Sequence, residues 1–164
     1  MAADDVCKAD RRIREFRSPE DTSGVAELLR EAKEATPWSE SDLNRMGELS
    51  GVTALVTLEA GRILGIVIGR RVADEAEILN LAVRPENRRQ GEGRKLVQRA
   101  VEDFRSCGVG RLFLEVRESN TGAIAFYKHL GFQIVGSRKD YYQEPRESAL
   151  IMELRLGKST AGAK

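Results

Sequence analysis

The run Arg88-Arg89-Gln90-Gly91-Glu92-Gly93 stands between an apolar, strand-like segment, Ile78 to Val83, and a helix-like segment, Arg94 to Cys107. Pro85 ends the first segment and disfavours helix at Arg84. Two glycines let the main chain approach a ligand with no Cβ in the way. The N–H groups of a first helical turn have no partner within the helix, and the helix dipole adds partial positive charge there. Arg88, Arg89 and Arg94 add full charges. A strand, a basic glycine turn and a helix in this order read as a cradle for pyrophosphate. The turn is not a P-loop, because no Gly-Lys-Ser/Thr follows. It is not the dinucleotide fingerprint either, because the third glycine is missing.

The cradle needs a domain around it, and 164 residues suffice for one with a core. Lysine and arginine number 27 against 26 acids, a net charge of +1, so nothing in the bulk charge favours nucleic acid or a membrane as a direct partner. Cys7 and Cys107 form neither a disulfide framework nor a metal spacing, and Cys107 is expected as a buried thiol on a helix face. A single histidine, His129, gives a nucleophile–histidine triad little support and is expected to face solvent. No apolar run reaches membrane-spanning length and the N-terminus is charged, so the chain is expected in the cytoplasm, as a monomer or weak dimer, with no metal.

Periodicity predicts the following order. A strand covers Ile13 to Phe16. Ser18-Pro19-Glu20-Asp21 signals a helix start, and the helix runs to about Ala35 with Val25, Leu28 and Leu29 inward. A second helix covers Ser41 to Glu48. Val52 to Leu58 and Ile63 to Arg70 form a hairpin through Glu59-Ala60-Gly61-Arg62. After Ile78 to Val83 comes a helix whose face is Leu96, Val97, Ala100, Val101 and Phe104, ended by Gly108. Arg111 to Val116 is a strand, Thr121 to Leu130 a helix, and Phe132 to Val135 and Ala149 to Leu156 are the last strands. Three successive strands without intervening helices exclude a doubly wound parallel sheet. The expected class is α/β (α+β): a single mixed, mostly antiparallel central sheet with helices on both faces. The domain is placed at residues 11–156, between a flexible start at 1–10 and a disordered tail at 157–164.

The pattern Arg-x-x-Gly-x-Gly between strand and helix resembles the pyrophosphate motif of the GCN5-related N-acetyltransferases, the GNAT superfamily. The likeness continues through Leu114-Glu115-Val116-Arg117-Glu118-Ser119-Asn120, Ala123-Ile124-Ala125-Phe126-Tyr127 and Leu130-Gly131-Phe132. Thr36-Pro37-Trp38-Ser39-Glu40, Ile78 to Val83 and Arg138-Lys139-Asp140-Tyr141-Tyr142 narrow it to the RimI type, the ribosomal-protein alanine N-acetyltransferases. The resemblance spans roughly residues 12–156. It implies the GNAT fold, acetyl-CoA as cosubstrate and the N-terminus of a ribosomal protein as partner. It also implies a cofactor site. Leu81, Ala82 and Val83 would meet the acetyl and pantetheine portions, Arg88, Arg89, Gln90, Gly91, Glu92, Gly93 and Arg94 the pyrophosphate, and Asn120 would touch the cofactor by its side chain. Asn120 is equally placed to cap the helix that follows. Glu92 departs from the family, where an apolar residue is usual. A carboxylate there suits the helix dipole but repels phosphate, so its side chain is expected to turn away and CoA affinity depends on that. Thr121-Gly122 also departs from a run that is often alanine.

Acetyl transfer to nitrogen needs a neutral amine. An α-amine has a pKa of about 8 and a lysine of about 10.4. At pH 7 roughly a tenth of α-amines are neutral, so an N-terminal acceptor asks less of a base. Glu115 interrupts an apolar strand between Leu114 and Val116, and half-burial is expected to raise its pKa towards working pH. The resemblance gives it the role of proton acceptor and Tyr127 that of proton donor to the leaving thiolate. A tyrosine flanked by Ile124, Phe126 and Leu130 also suits a core. Trp38, Tyr141 and Tyr142 are candidate substrate-binding residues, and each has packing as its alternative. Glu40 and Asp42 could meet a basic residue of a substrate or serve the helix dipole. Two other functions stay open: a GNAT enzyme acting on lysine side chains or small amines, and a non-catalytic CoA-binding interaction module.

Overall fold

The computed structural model describes residues 10–157. The expected flexible start and disordered tail, with Cys7, lie outside the described residues except for Asp10 and Gly157.

In chain order the elements are β1 (Arg12–Glu15), α1 (Thr22–Glu31), α2 (Glu40–Met46), β2 (Val52–Glu59), β3 (Arg62–Val72), β4 (Glu75–Val83), α3 (Glu92–Ser106), β5 (Arg111–Arg117), α4 (Thr121–His129), β6 (Gln133–Gln143) and β7 (Arg146–Arg155). This is the order predicted from periodicity, with one added turn of 3-10 helix at Pro85–Asn87. The strands form a seven-stranded sheet in the order β1-β2-β3-β4-β5-β7-β6. β1 pairs antiparallel with β2, and β7 antiparallel with both β5 and β6. β4 and β5 are parallel. Parallel neighbours need a crossover connection, and α3 supplies it between β4 and β5. In β3 every residue from Ile63 to Gly69 is buried, so that strand is covered on both faces.

The described residues fall into two compact units. The first comprises residues 10–68 and 80–100; its core includes Val25, Leu28, Leu43, Ile66 and Leu96. The second comprises residues 69–79 and 101–157; its core includes Phe104, Leu112, Leu114, Phe132 and Met152.

Local chemistry explains both the matches and the departures. At the β2–β3 turn Ala60 and Gly61 have φ of 49° and 79°, as a two-residue hairpin loop requires. Ser39 opens α2 with a capping box, its side chain taking the Asp42 N–H while the Asp42 carboxylate takes the Ser39 N–H. α1 departs from expectation. It starts at Thr22, not after Ser18, because the Asp21 carboxylate is engaged by Arg14 at 2.6 Å and by the Arg17 N–H at 2.7 Å, while Ser18 donates to Asn44. It ends at Glu31, short of Ala35, where the Ala32 N–H bonds the Leu28 carbonyl. β6 is far longer than Phe132 to Val135. It is an edge strand with mostly exposed residues, so its backbone ladder to β7 holds it without any apolar alternation. Cys107 is exposed, contrary to expectation, because α3 stops at Ser106 and Phe104 and Val109 fill the buried positions around it.

Candidate active site

The first unit carries the cradle. Leu81, Ala82 and Val83 end β4, and the Val83 carbonyl accepts from Arg88 Nε at 3.2 Å. The rest of the Arg88 guanidinium grips Glu34 at 3.0 and 3.2 Å, holding that carboxyl below its usual range. Arg88 therefore fastens the turn to the body of the unit. Arg89 adopts φ of 60° and Gly91 φ of 84°, so the chain turns sharply into α3. A Cβ built on Gly91 would meet no atom within 4 Å, which leaves open space beside its backbone. Arg89 and Arg94 are exposed, and neither is engaged by another described residue. An open backbone corner, two uncommitted guanidinium groups and the N-terminus of a fifteen-residue helix fit a pyrophosphate.

Glu92 and Gln90 turn elsewhere. The Glu92 side chain is only 1% exposed, and its Oε1 accepts from Arg11 at 3.0 Å and lies 3.9 Å from Lys95. Arg11 also donates to Gln90 Oε1 at 2.9 Å and to Glu59 at 2.7 Å. The Glu92 carboxylate thus faces the interior with a counter-charge, although Oε2 stays unpartnered. Sequence reasoning also missed Arg84. Its side chain is 1% exposed, donating to the Ile63 carbonyl at 2.7 Å and to Glu31 at 2.7 Å, with Glu27 at 3.4 Å. It anchors the end of β4 just before the cradle. A charged residue before proline gave no signal of burial.

Trp38, in the same unit, is half-buried and outside the core. It lines a groove of about 560 Å³ with Pro37, Asp42, Arg45, Glu48 and Leu49. Asp42 serves the capping box, and Ser39 lowers its pKa.

The second unit carries Glu115, Tyr127, Asn120, Tyr141 and Tyr142. Leu114 and Val116 point into the core, so Glu115 projects from the opposite face of β5 with its side chain 16% exposed. It lines a cavity of about 350 Å³ with Arg70, Glu77, Phe113, Arg138 and Ile151. Arg138 Nε lies 2.7 Å from Glu115 Oε1, a counter-charge that the sequence did not reveal. The neighbouring Glu115 carboxylate raises the Tyr141 phenol above its usual pKa. Residues an odd number of positions apart point to opposite faces of a regular strand. Here the register of β6 shifts between Arg138 and Tyr142, and Asp140 takes φ of 53°. That irregularity lets Arg138 and Tyr141 both reach Glu115. Tyr142 packs beneath the Arg117 guanidinium, 4.0 Å from its ring centre, and burial raises its pKa.

Tyr127 is buried, edge-on to Phe126 and Phe132 at 5.1 and 5.5 Å between ring centres. Burial pushes its phenol well above the usual range and so keeps it protonated. Asn120 caps α4, its Oδ1 accepting from the Ala123 N–H at 3.1 Å, while its amide nitrogen makes no hydrogen bond to the described residues. His129 is exposed, with Nδ1 2.7 Å from the Ala125 carbonyl. Among the described residues no cluster of three or more His, Cys, Asp or Glu could hold a metal, and no helix is long and apolar enough to cross a membrane.

Known proteins match this arrangement. The model of the acetyltransferase (GNAT) family matches residues 15–132. The [ribosomal protein bS18]-alanine N-acetyltransferase of Escherichia coli K12 is 39% identical over 125 residues, covering 74% of this chain and 83% of the relative. A putative [ribosomal protein bS18]-alanine N-acetyltransferase of Bacillus subtilis is 39% identical over 135 residues, covering 81% and 88%. The crystal structure of the Escherichia coli ribosomal-protein-S18-alanine N-acetyltransferase superimposes with a TM-score of 0.82 at 31% identity, covering 94% of this chain and 99% of that one. The mixed sheet with its parallel β4–β5 crossover is the GNAT fold, and the chain belongs to the GNAT family as an acetyl-CoA-dependent N-acetyltransferase.

Proposed function

We propose that the protein acetylates the α-amine of a protein N-terminus, with the N-terminal alanine of a ribosomal protein as its target. The observation that carries this reading is the 39% identity to a bS18-alanine N-acetyltransferase over most of both chains. Glu115 and Tyr127 stand within the matched blocks in environments that suit a proton acceptor and a proton donor.

Acetyl-CoA supplies an acetyl group activated as a thioester. Gly91, Glu92 and Gly93 offer backbone N–H groups to its pyrophosphate, Arg89 and Arg94 offer charge, and Arg88 and Gln90 brace the loop. The main chain of Leu81, Ala82 and Val83 meets the acetyl and pantetheine portions. Asn120 has amide donors left for the cofactor after capping α4. Glu115 receives the proton that the amine must lose. Tyr127, kept neutral by burial, stabilises the leaving sulfur with a hydrogen bond. Direct transfer needs no enzyme nucleophile. Trp38, Tyr141 and Tyr142 shape the acceptor side. We assign residues 11–156 to one acetyltransferase domain, acting in the cytoplasm as a monomer or weak dimer.

Two measurements test this reading. Intact-mass analysis of ribosomal proteins from cells with and without the gene should show one N-terminal acetyl group lost. A panel of peptides with free α-amines, set against α-blocked lysine peptides, should be acetylated faster in the first set. Faster modification of the blocked set would transfer the function to lysine side chains.

A further inference from the structure

The residues on either side of Gly91 are held by one guanidinium. Arg11, the residue before β1, donates through Nη1 to Gln90 Oε1 at 2.9 Å and to Glu92 Oε1 at 3.0 Å. Its Nε donates to Glu59 at 2.7 Å, and Glu59 ends β2, the strand that pairs with β1. Gln90 Nε2 in turn donates to the Glu86 carbonyl at 3.2 Å. All of these residues belong to the first unit. The first strand pair is thereby fastened to both shoulders of the glycine turn.

Glu92 is the first residue of α3 and its side chain is buried. A negative charge there cancels part of the positive potential of the helix start and repels phosphate. Burial removes the water that would screen it, so its reach depends on the counter-charge beside it. Oε2 has no partner among the described residues, and Lys95 is exposed and 3.9 Å away. An exposed lysine at that range offsets little. Arg11 is left as the close counter-charge. We propose that Arg11 is a positioning residue for the cosubstrate: it neutralises the Glu92 carboxylate and ties down Gln90, so that the turn through Gly91 keeps its attraction for pyrophosphate. Arg11 acts through Glu92 and not on the phosphate. The inference rests on that turn being the pyrophosphate cradle.

The test is a set of substitutions in the full chain, read by calorimetry with CoA and by the KM for acetyl-CoA. Arg11→Gln keeps a hydrogen-bonding side chain and removes the charge. It should weaken CoA binding and raise that KM about tenfold, with kcat within about twofold. Adding Glu92→Gln removes the acid as well, and CoA affinity should return to within about threefold of wild type. Arg11→Lys keeps the charge and should also stay within about threefold. S-acetylpantetheine, a donor without pyrophosphate, should serve Arg11→Gln as well as it serves wild type. A double variant or an Arg11→Lys that binds CoA about tenfold more weakly would overturn the proposal, even if Arg11→Gln alone failed to fold. So would an equal loss with S-acetylpantetheine. Gly91→Ala is measured beside them. Unchanged CoA affinity in Gly91→Ala would remove the cradle and this proposal with it. A weakened Gly91→Ala beside an Arg11→Gln of wild-type affinity would overturn the proposal alone.

Discussion

Replacing Gly91 by alanine separates the cradle from mere backbone geometry, and Gly61 is its control. The two glycines have nearly the same conformation, φ of 84° and 79°, and a Cβ added at either meets nothing within 4 Å. Each substitution therefore pays the left-handed penalty of about 1–2 kcal/mol and no clash. For a chain of this size each kcal/mol lowers Tm by about 2–4 °C, so both variants should melt a few degrees early and by similar amounts.

Their cosubstrate affinities should part company. Gly61 turns a hairpin, whereas Gly91 faces the space assigned to pyrophosphate. A phosphate oxygen accepting from a backbone N–H sits about 2.9 Å from the nitrogen, and a methyl group on the adjacent Cα crowds that approach. Losing one charge-assisted hydrogen bond costs about 1.5–3 kcal/mol, which is about a ten- to hundredfold rise in KM for acetyl-CoA. Gly61→Ala should leave that KM within twofold. Calorimetry of each variant with CoA checks the same difference without turnover. Equal acetyl-CoA affinities in two equally destabilised variants would refute the cradle.

Three further outcomes follow from the second unit. Glu115→Gln should lower turnover by about 10²–10⁴-fold while CoA binding, read by calorimetry, stays near wild type. Tyr127→Phe should cut turnover as well, and wild-type turnover would return Tyr127 to a packing role. Because burial raises the folded-state pKa of Tyr127, its contribution to stability is whole below about pH 10, the unfolded phenol value, and declines as pH rises beyond it. Denaturant melts in that range should show a shallower alkaline loss for Tyr127→Phe than for wild type. Asn120→Ala should cost about 1 kcal/mol as a lost cap; a higher KM for acetyl-CoA in Asn120→Asp, which keeps the capping oxygen but has no amide donor, would mark the amide nitrogen as a cofactor contact.

What the sequence made legible was local. Pro85, Gly91 and the apolar run before them fix the strand, turn and helix from residues that are neighbours in the chain. The β2–β3 hairpin and the order of elements were legible for the same reason. What stayed hidden depended on partners distant in sequence. Ser18-Pro19 looks like a helix start until Arg14 is seen to hold Asp21. Glu92 looks unfavourable until Arg11 pairs with it. β6 looks like a loop beyond Val135 because an edge strand needs no apolar alternation, and its length is what brings Arg138 and Tyr141 to Glu115. Arg84 is the clearest case, a charged residue whose burial is set by carbonyl and carboxylate groups on other elements.

The two candidate proton-transfer residues owe their roles to opposite surroundings. Tyr127 lies among aromatic rings with no charged partner among the described residues, so its phenol stays neutral and has a hydrogen to give. Glu115 lies 2.7 Å from the Arg138 guanidinium, on the face of β5 opposite the core. An acceptor that is already partly neutral asks little of any base. Moving from an α-amine to a lysine adds about 2.5 pKa units, roughly 3.4 kcal/mol of deprotonation that the base would have to supply. That difference by itself favours α-amines over lysines. Arg138→Gln removes the counter-charge beside Glu115 and tests what sets the preference: the rate ratio between α-amine and lysine peptides should narrow. A ratio unchanged in Arg138→Gln would mean that the shape of the acceptor side, and not the strength of its base, selects the amine.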